Sequence, residues 1–224
     1  MEVSALIPYK ADHGRRDFLW SVVKQRYEHL FPQIELCIGH DETEPFCRAR
    51  AINLAAKIAT GQIYMLVDSD VLFDVDLINK IMLYIHVHPW IVPFDRGIRL
   101  TQTATDHLIG QEIPTNINIK QGDIQEIITY PGPFMNIMTK ACFEAIRGLD
   151  ERFQGWGRED DAMVMSLDTI CGKHFQIKDT VYHLWHQPAE IIPELLHKSD
   201  LLLNRYIDAQ KCVTDMKRLI DERF

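Results

Sequence analysis

Two aspartates, Asp68 and Asp70, interrupt the apolar run Leu66-Val67-Asp68-Ser69-Asp70-Val71-Leu72. In a strand, residues i and i+2 point to one side, so the two carboxylates repel each other unless a cation lies between them. A hard divalent ion held by oxygen ligands meets that need. The competing reading is a turn beyond the sheet, with both aspartates solvated. His183 and His186 are separated by Leu184 and Trp185 in Val181-Tyr182-His183-Leu184-Trp185-His186. They read either as packed, hydrogen-bonded residues or as ligands, and imidazole beside carboxylate favours Mn²⁺ over Mg²⁺. Glu159, Asp160 and Asp161 follow Gly155-Trp156-Gly157-Arg158. Acids in that position suit a helix N-terminus. A tryptophan between glycines suggests close backbone approach and a flat face for stacking, and a carboxylate beside it is suited to act as a general base on a sugar hydroxyl. Arg15, Arg16, Arg48 and Arg50 are ordinary surface charges or partners for a diphosphate.

The elements around these residues read as strand–helix alternation. Val3–Pro8 is an apolar strand, followed by a polar turn and a helix from about 16 to 30, with Phe18, Leu19, Val22, Val23 and Tyr27 on one face. Ile34–Ile38 is a second strand, and Phe46–Ala59 a helix closing at Gly61. Gln62–Val67 is a third strand and runs into Asp68. A helix over Val75–His86 takes Asp74 as its N-cap, and Trp90–Pro93 is a fourth strand. Residues 95–130 are polar and irregular, as in an insertion or mobile loop. Phe134–Met138 is strand-like, Ala141–Ile146 a short helix, and an amphipathic helix follows Asp161. Phe175–Ile177 and Val181–Trp185 are short strands, and Ile191–Phe224 is a helical tail. The alternation predicts βαβ units and a mostly parallel sheet, with ligands beyond the carboxyl ends of its strands. Tyr9, Arg16, Asp41, Asp68 and Asp70 fall at those ends.

Composition excludes several classes. The chain has 224 residues and a formal charge of −8, which disfavours non-specific nucleic-acid binding. No apolar run reaches the roughly 20 residues of a membrane span, and no basic leader precedes the first strand. Five scattered cysteines without C-x-x-C read as reduced thiols in a cytoplasmic protein. Neither a G-x-G-x-x-G turn, a P-loop, a G-x-S-x-G elbow nor H-E-x-x-H occurs.

With "LIPYK", "GRRD", "CRARAINLA", "VDSDV", "PGPFMNIMTKACFEAIRGLDERFQGWGREDDAMV" and "VYHLWH" in this order, the chain resembles the GT-A glycosyltransferases. Within them it resembles the inverting, family 2-like group of β-1,4-galactosyltransferases, polypeptide GalNAc-transferases and bacterial chondroitin polymerases. The motifs span most of residues 3 to 186, and "GWGREDD" is the most specific. The resemblance implies a Rossmann-like αβα sandwich over residues 1–188 with a helical extension over 189–224. It implies a UDP-sugar donor and an Mn²⁺ or Mg²⁺ ion. Pro8, Tyr9 and Arg16 would line the nucleotide pocket, Asp41 would lie near base or ribose, and Arg48 near the diphosphate. Asp68 would contact ribose or metal and Asp70 the metal. His183, in preference to His186, would add a ligand. Trp156 would pack on the sugars, Asp160 would be the base, and Glu159 and Asp161 would hold the acceptor or the loop. The expected reaction is a single displacement with inversion onto a glycan, lipid-linked or protein acceptor. The absence of a stem, anchor or disulfide framework suits a bacterial or phage protein, and the leucine-rich tail covers the domain or pairs two copies. The alternatives are a nucleotidyltransferase and a non-catalytic nucleotide-sugar-binding subunit.

Overall fold

The computed structural model describes residues 2–110 and 115–224. Its first strand, β1 (Val3–Tyr9), is buried over all but its last residue, as expected for a strand covered on both faces. Helix α1 (Arg15–Leu30) leads to β2 (Ile34–His40), and α2 (Arg48–Ile58) leads to β3 (Ile63–Val67). β1 pairs in parallel with both β2 and β3. Gly39 is what lets α2 lie against β2: a β-carbon there would stand 1.7 Å from the Ala51 carbonyl oxygen.

After β3 the chain turns through Asp68–Asp70 into β4 (Val71–Phe73), then α3 (Asp76–Tyr84) and β5 (Trp90–Val92). The Asp74 side chain does not cap α3. It accepts the Ile117 N–H at 2.7 Å, and Val75 holds the cap position without a side-chain bond.

The stretch expected to be irregular is ordered over most of its length. It forms β6 (Arg96–Leu100), α4 (Gln102–Ile109), a 3₁₀ turn (Gln121–Asp123) and β7 (Ile124–Ile128); residues 111–114 lie outside the described residues. Its strands are hard to read because charge interrupts them. β6 reads Arg-Gly-Ile-Arg-Leu, and β7 is an edge strand with its middle exposed.

β8 (Met135–Thr139), α5 (Lys140–Ala145), α6 (Glu159–Ile170), β9 (Phe175–Gln176) and β10 (Thr180–His183) follow, then α7 (Pro193–Ala209) and α8 (Val213–Asp221). The expected helical tail is made of two helices, α7 and α8. The main sheet runs β2-β1-β3-β8-β5-β9, with β8 antiparallel to both its neighbours. A second sheet, β4-β10-β6-β7, was not foreseen. The Asp68–Asp70 turn joins the two sheets.

α6, α7 and α8 pack on one another, burying Tyr206, Met216, Leu219 and Ile220. Tyr206 donates its hydroxyl to buried Asp150 at 2.8 Å, and Arg152 grips the same carboxylate with a fork of bonds at 2.7–3.0 Å.

A candidate active site between two sheets

Because the chain has left β3, the Asp68 and Asp70 side chains do not share a strand face. They divide their partners. Asp70 is buried, and its carboxylate faces two imidazoles at and just beyond the end of β10, the strand paired with β4. His183 Nε2 is 3.3 Å from Oδ1, and His186 Nε2 is 3.1 Å from Oδ2. Donor atoms of the three residues all lie within 4.8 Å of one another. Burial pushes the Asp70 carboxyl up, but the two histidines and Arg16 outweigh it and hold it well below the carboxylate range. Burial pushes the His183 imidazole down, which keeps a nitrogen lone pair free.

The donor set fits a divalent ion. Asp70 Oδ1 is buried without a hydrogen-bond donor, and the Nε2 atom of each histidine faces the same carboxylate.

Asp68 takes another partner. Arg48, from the first turn of α2, donates Nε to Asp68 Oδ1 at 2.9 Å and Nη1 to Asp160 Oδ1 at 2.6 Å; Glu159 Oε1 is 3.6 Å from Nη1. One guanidinium thus ties the turn after β3 to the start of α6. With one cation among three carboxylates, Asp160 is raised well above the carboxylate range. Burial is the main cause, Glu159 and Asp68 add to it, and Arg48 opposes it. Glu159 is raised by burial too, against Arg48.

The approach to α6 explains Gly155-Trp156-Gly157. Gly157 adopts φ +98°, a left-handed backbone that favours glycine. The loop leaves Trp156 51% exposed at the mouth of the cleft.

One cleft of about 630 Å³ gathers nearly all the expected residues: Pro8, Arg16, Arg48, Asp68, Asp70, Trp156, Glu159, Asp160, Asp161, His183 and His186. Tyr9 and Asp41 are not in its wall. The Tyr9 hydroxyl donates to Asp17 at 2.6 Å. Asp41 is turned inward, accepting from Thr43 Oγ1 at 2.6 Å and from the Cys47 N–H at 2.8 Å at the head of α2. Arg15 and Arg50 are also engaged elsewhere, on the Trp185 carbonyl at 2.8 Å and on Glu151 at 3.1 Å.

The fold has solved counterparts. The catalytic domain of Drosophila beta1,4galactosyltransferase 7, in complex with xylobiose, superposes with a TM-score of 0.52 at 12% identity, over 88% of this chain and 79% of that one. S. aureus TarS 1–349 in complex with UDP-GlcNAc gives 0.56 at 14%, over 100% and 71%. Mycobacterium tuberculosis glucosyl-3-phosphoglycerate synthase, in complex with Mn²⁺, UDP and glucosyl-3-phosphoglycerate, gives 0.52 at 8%, over 93% and 79%. This is a GT-A glycosyltransferase fold. Residues 127–187, the stretch holding Trp156, Asp160, His183 and His186, match the family model described as the N-terminal domain of galactosyltransferase. No curated protein matches the chain.

In this GT-A fold, sequence reasoning missed Arg99 and Tyr130, both in the cleft wall. Each belongs to the stretch read as irregular, so no strand pattern marked which way its side chain faces.

Proposed function

We propose that the protein is a metal-dependent, inverting glycosyltransferase that moves a sugar from a UDP-sugar to an acceptor hydroxyl. One observation carries this reading: a metal-competent trio, Asp70, His183 and His186, and a proton acceptor, Asp160, line the same cleft. The solved counterparts with UDP-GlcNAc or with Mn²⁺ and UDP support it. Asp70, His183 and His186 hold Mn²⁺ or Mg²⁺, which when bound supplies Lewis-acid stabilisation of the departing diphosphate. Pro8 and Arg16 line the nucleotide side, and Asp68 meets the ribose or the metal. Asp160 removes the acceptor proton and Arg48 orients it. Glu159 and Asp161 hold the acceptor side, and Trp156 offers its open face to the sugars. The acceptor oxygen bonds to the anomeric carbon as the bond to the diphosphate breaks, and the configuration inverts. Residues 1–188 form the transferase domain and 189–224 its extension. Five free cysteines suit a cytoplasmic setting.

Incubation with a panel of UDP-sugars and glycan, lipid-linked and protein acceptors, with Mn²⁺, Mg²⁺ or EDTA, tests this. The expected result is UDP release coupled to transfer, lost in EDTA, with an inverted anomeric centre in the product by NMR. UDP-sugar binding without turnover over the whole panel would instead favour a binding subunit. Pyrophosphate release from a nucleoside triphosphate would favour a nucleotidyltransferase.

A further inference from the structure

Four arginines line the cleft: Arg16, Arg48, Arg99 and Arg158. Arg48 is occupied by three carboxylates, and Arg158 by Asp200 at 2.7 Å and Asp161 at 3.8 Å. Arg99 is differently placed. Its Nε is buried without a hydrogen-bond acceptor, and Glu126, a half-exposed residue on edge strand β7, reaches Nη1 only at 3.5 Å. In the parallel β6–β10 pair, Arg99 stands opposite His183, so the two side chains leave the sheet on one face. Phe134 lies against both, 5.3 Å from the His183 ring and 5.7 Å from the Arg99 guanidinium carbon. Arg16 flanks the other imidazole, its Nε 3.3 Å from His186 Nδ1.

Two guanidiniums therefore bracket a trio whose own carboxylate is Asp70 alone. With a divalent ion in the trio, the local charge is strongly positive and calls for a polyanion. The Phe134 end of the cleft is also the base's end. Asp160 packs on Gly132, its Cβ 3.1 Å from where a glycine β-carbon would stand. The phosphate nearest a carbon attacked there is the distal one, which departs with the bonding electron pair.

Resting on the glycosyltransferase reading above, we propose that Arg99 is a catalytic residue that binds the distal phosphate of the donor diphosphate and stabilises it as it leaves. Glu126 holds the guanidinium until the donor takes its place.

Calorimetry with UDP and with UMP, both in Mn²⁺, separates the distal phosphate from the rest of the nucleotide. In Arg99→Met, UDP affinity is expected to fall about tenfold or more while UMP affinity is unchanged. Arg99→Lys, which keeps the charge and a compatible length, retains part of the difference and controls for folding. Glu126→Gln removes the competing carboxylate and tightens UDP two- to threefold, on the order of a surface ion pair. Equal losses for UDP and UMP, or no loss for either, would overturn the assignment while leaving the glycosyltransferase reading in place. A wild-type protein that binds no UDP in Mn²⁺ would remove both.

Discussion

Arg48 decides how the carboxylates of the cleft behave. It donates to Asp68 and Asp160 and lies near Glu159, yet it neutralises only one of three charges. The raised Asp160 has a consequence for activity. The base must be ionised, so kcat/KM is expected to fall on the acid side around a pKa above the ordinary aspartate value of about 3.9, and the pH–rate profile reads it. Stability follows the opposite sign. A carboxyl whose folded pKa lies above its unfolded value binds more protons when folded, so its ionisation costs stability as pH rises through that window. Asp160→Asn is therefore expected to lower kcat by about 10²–10⁴-fold, to leave Mn²⁺-dependent UDP affinity intact, and to melt no lower than wild type at pH 8. Near wild-type turnover would end the assignment of the base. Asp70→Ala is expected to weaken Mn²⁺-dependent UDP binding by more than the roughly 10–100-fold that loss of an outer partner costs; unchanged calorimetric affinity would refute its role. At this scale the sequence showed which residues to watch, because carboxylates, imidazoles and a glycine-flanked tryptophan are visible as types. It did not show the pairing. That Asp68 would face an arginine and Asp70 two histidines depends on a turn whose geometry two residues of spacing do not encode.

The elements that were legible carry an apolar run or helical spacing, whether buried throughout, as β3 is, or half-covered at the sheet edge, as β2 is. β1, β2 and β3 read as apolar runs, and α1 and α2 as helices between them, each within about two residues of its observed bounds. The second sheet was not legible because its strands are short or interrupted by charge: β6 carries two arginines and a glycine, and β4, though buried, has three residues. Asp74 misled for a related reason, since an aspartate before a helix is a good cap signal but here serves Ile117 in a loop far along the chain. Among the described glycines, Gly39 beneath α2 leaves the least room for a β-carbon. Gly39→Ala puts a β-carbon 1.7 Å from the Ala51 carbonyl oxygen, so α2 must shift. The expected loss is about 1–3 kcal/mol or more, the cost of overpacking, seen as a lower denaturation midpoint. Because α2 carries Arg48, activity is expected to fall even in protein that remains folded.

At the scale of the whole molecule, the extension over 189–224 was foreseen as helical, but its point of attachment was not. Asp150 belongs to the quoted "GLDERF" and reads there as part of a motif, whereas in the structure it is the anchor for Tyr206 of α7 and, through Arg223 at 3.5 Å, for the end of the chain. Burial pushes the Asp150 carboxyl up, but the Arg152 hydrogen bonds and the Arg223 charge outweigh it and hold it below its usual value. A depressed carboxyl contributes stability above its unfolded pKa of about 3.9 and loses it as pH falls through the folded value. Acid melting is thus expected to begin near pH 4 and to loosen the tail, and Asp150→Asn is expected to melt lower than wild type at pH 7 with a flatter dependence below pH 4.

Between His183 and Pro193 the chain is moored in a sheet at one end and in a helix at the other, and on the way it carries His186 and then skirts the cleft through Pro188–Ile192. Slack at the far mooring travels back along that span. A fault in the tail would first be felt as a looser hold on the nucleotide, well before anything came unfolded.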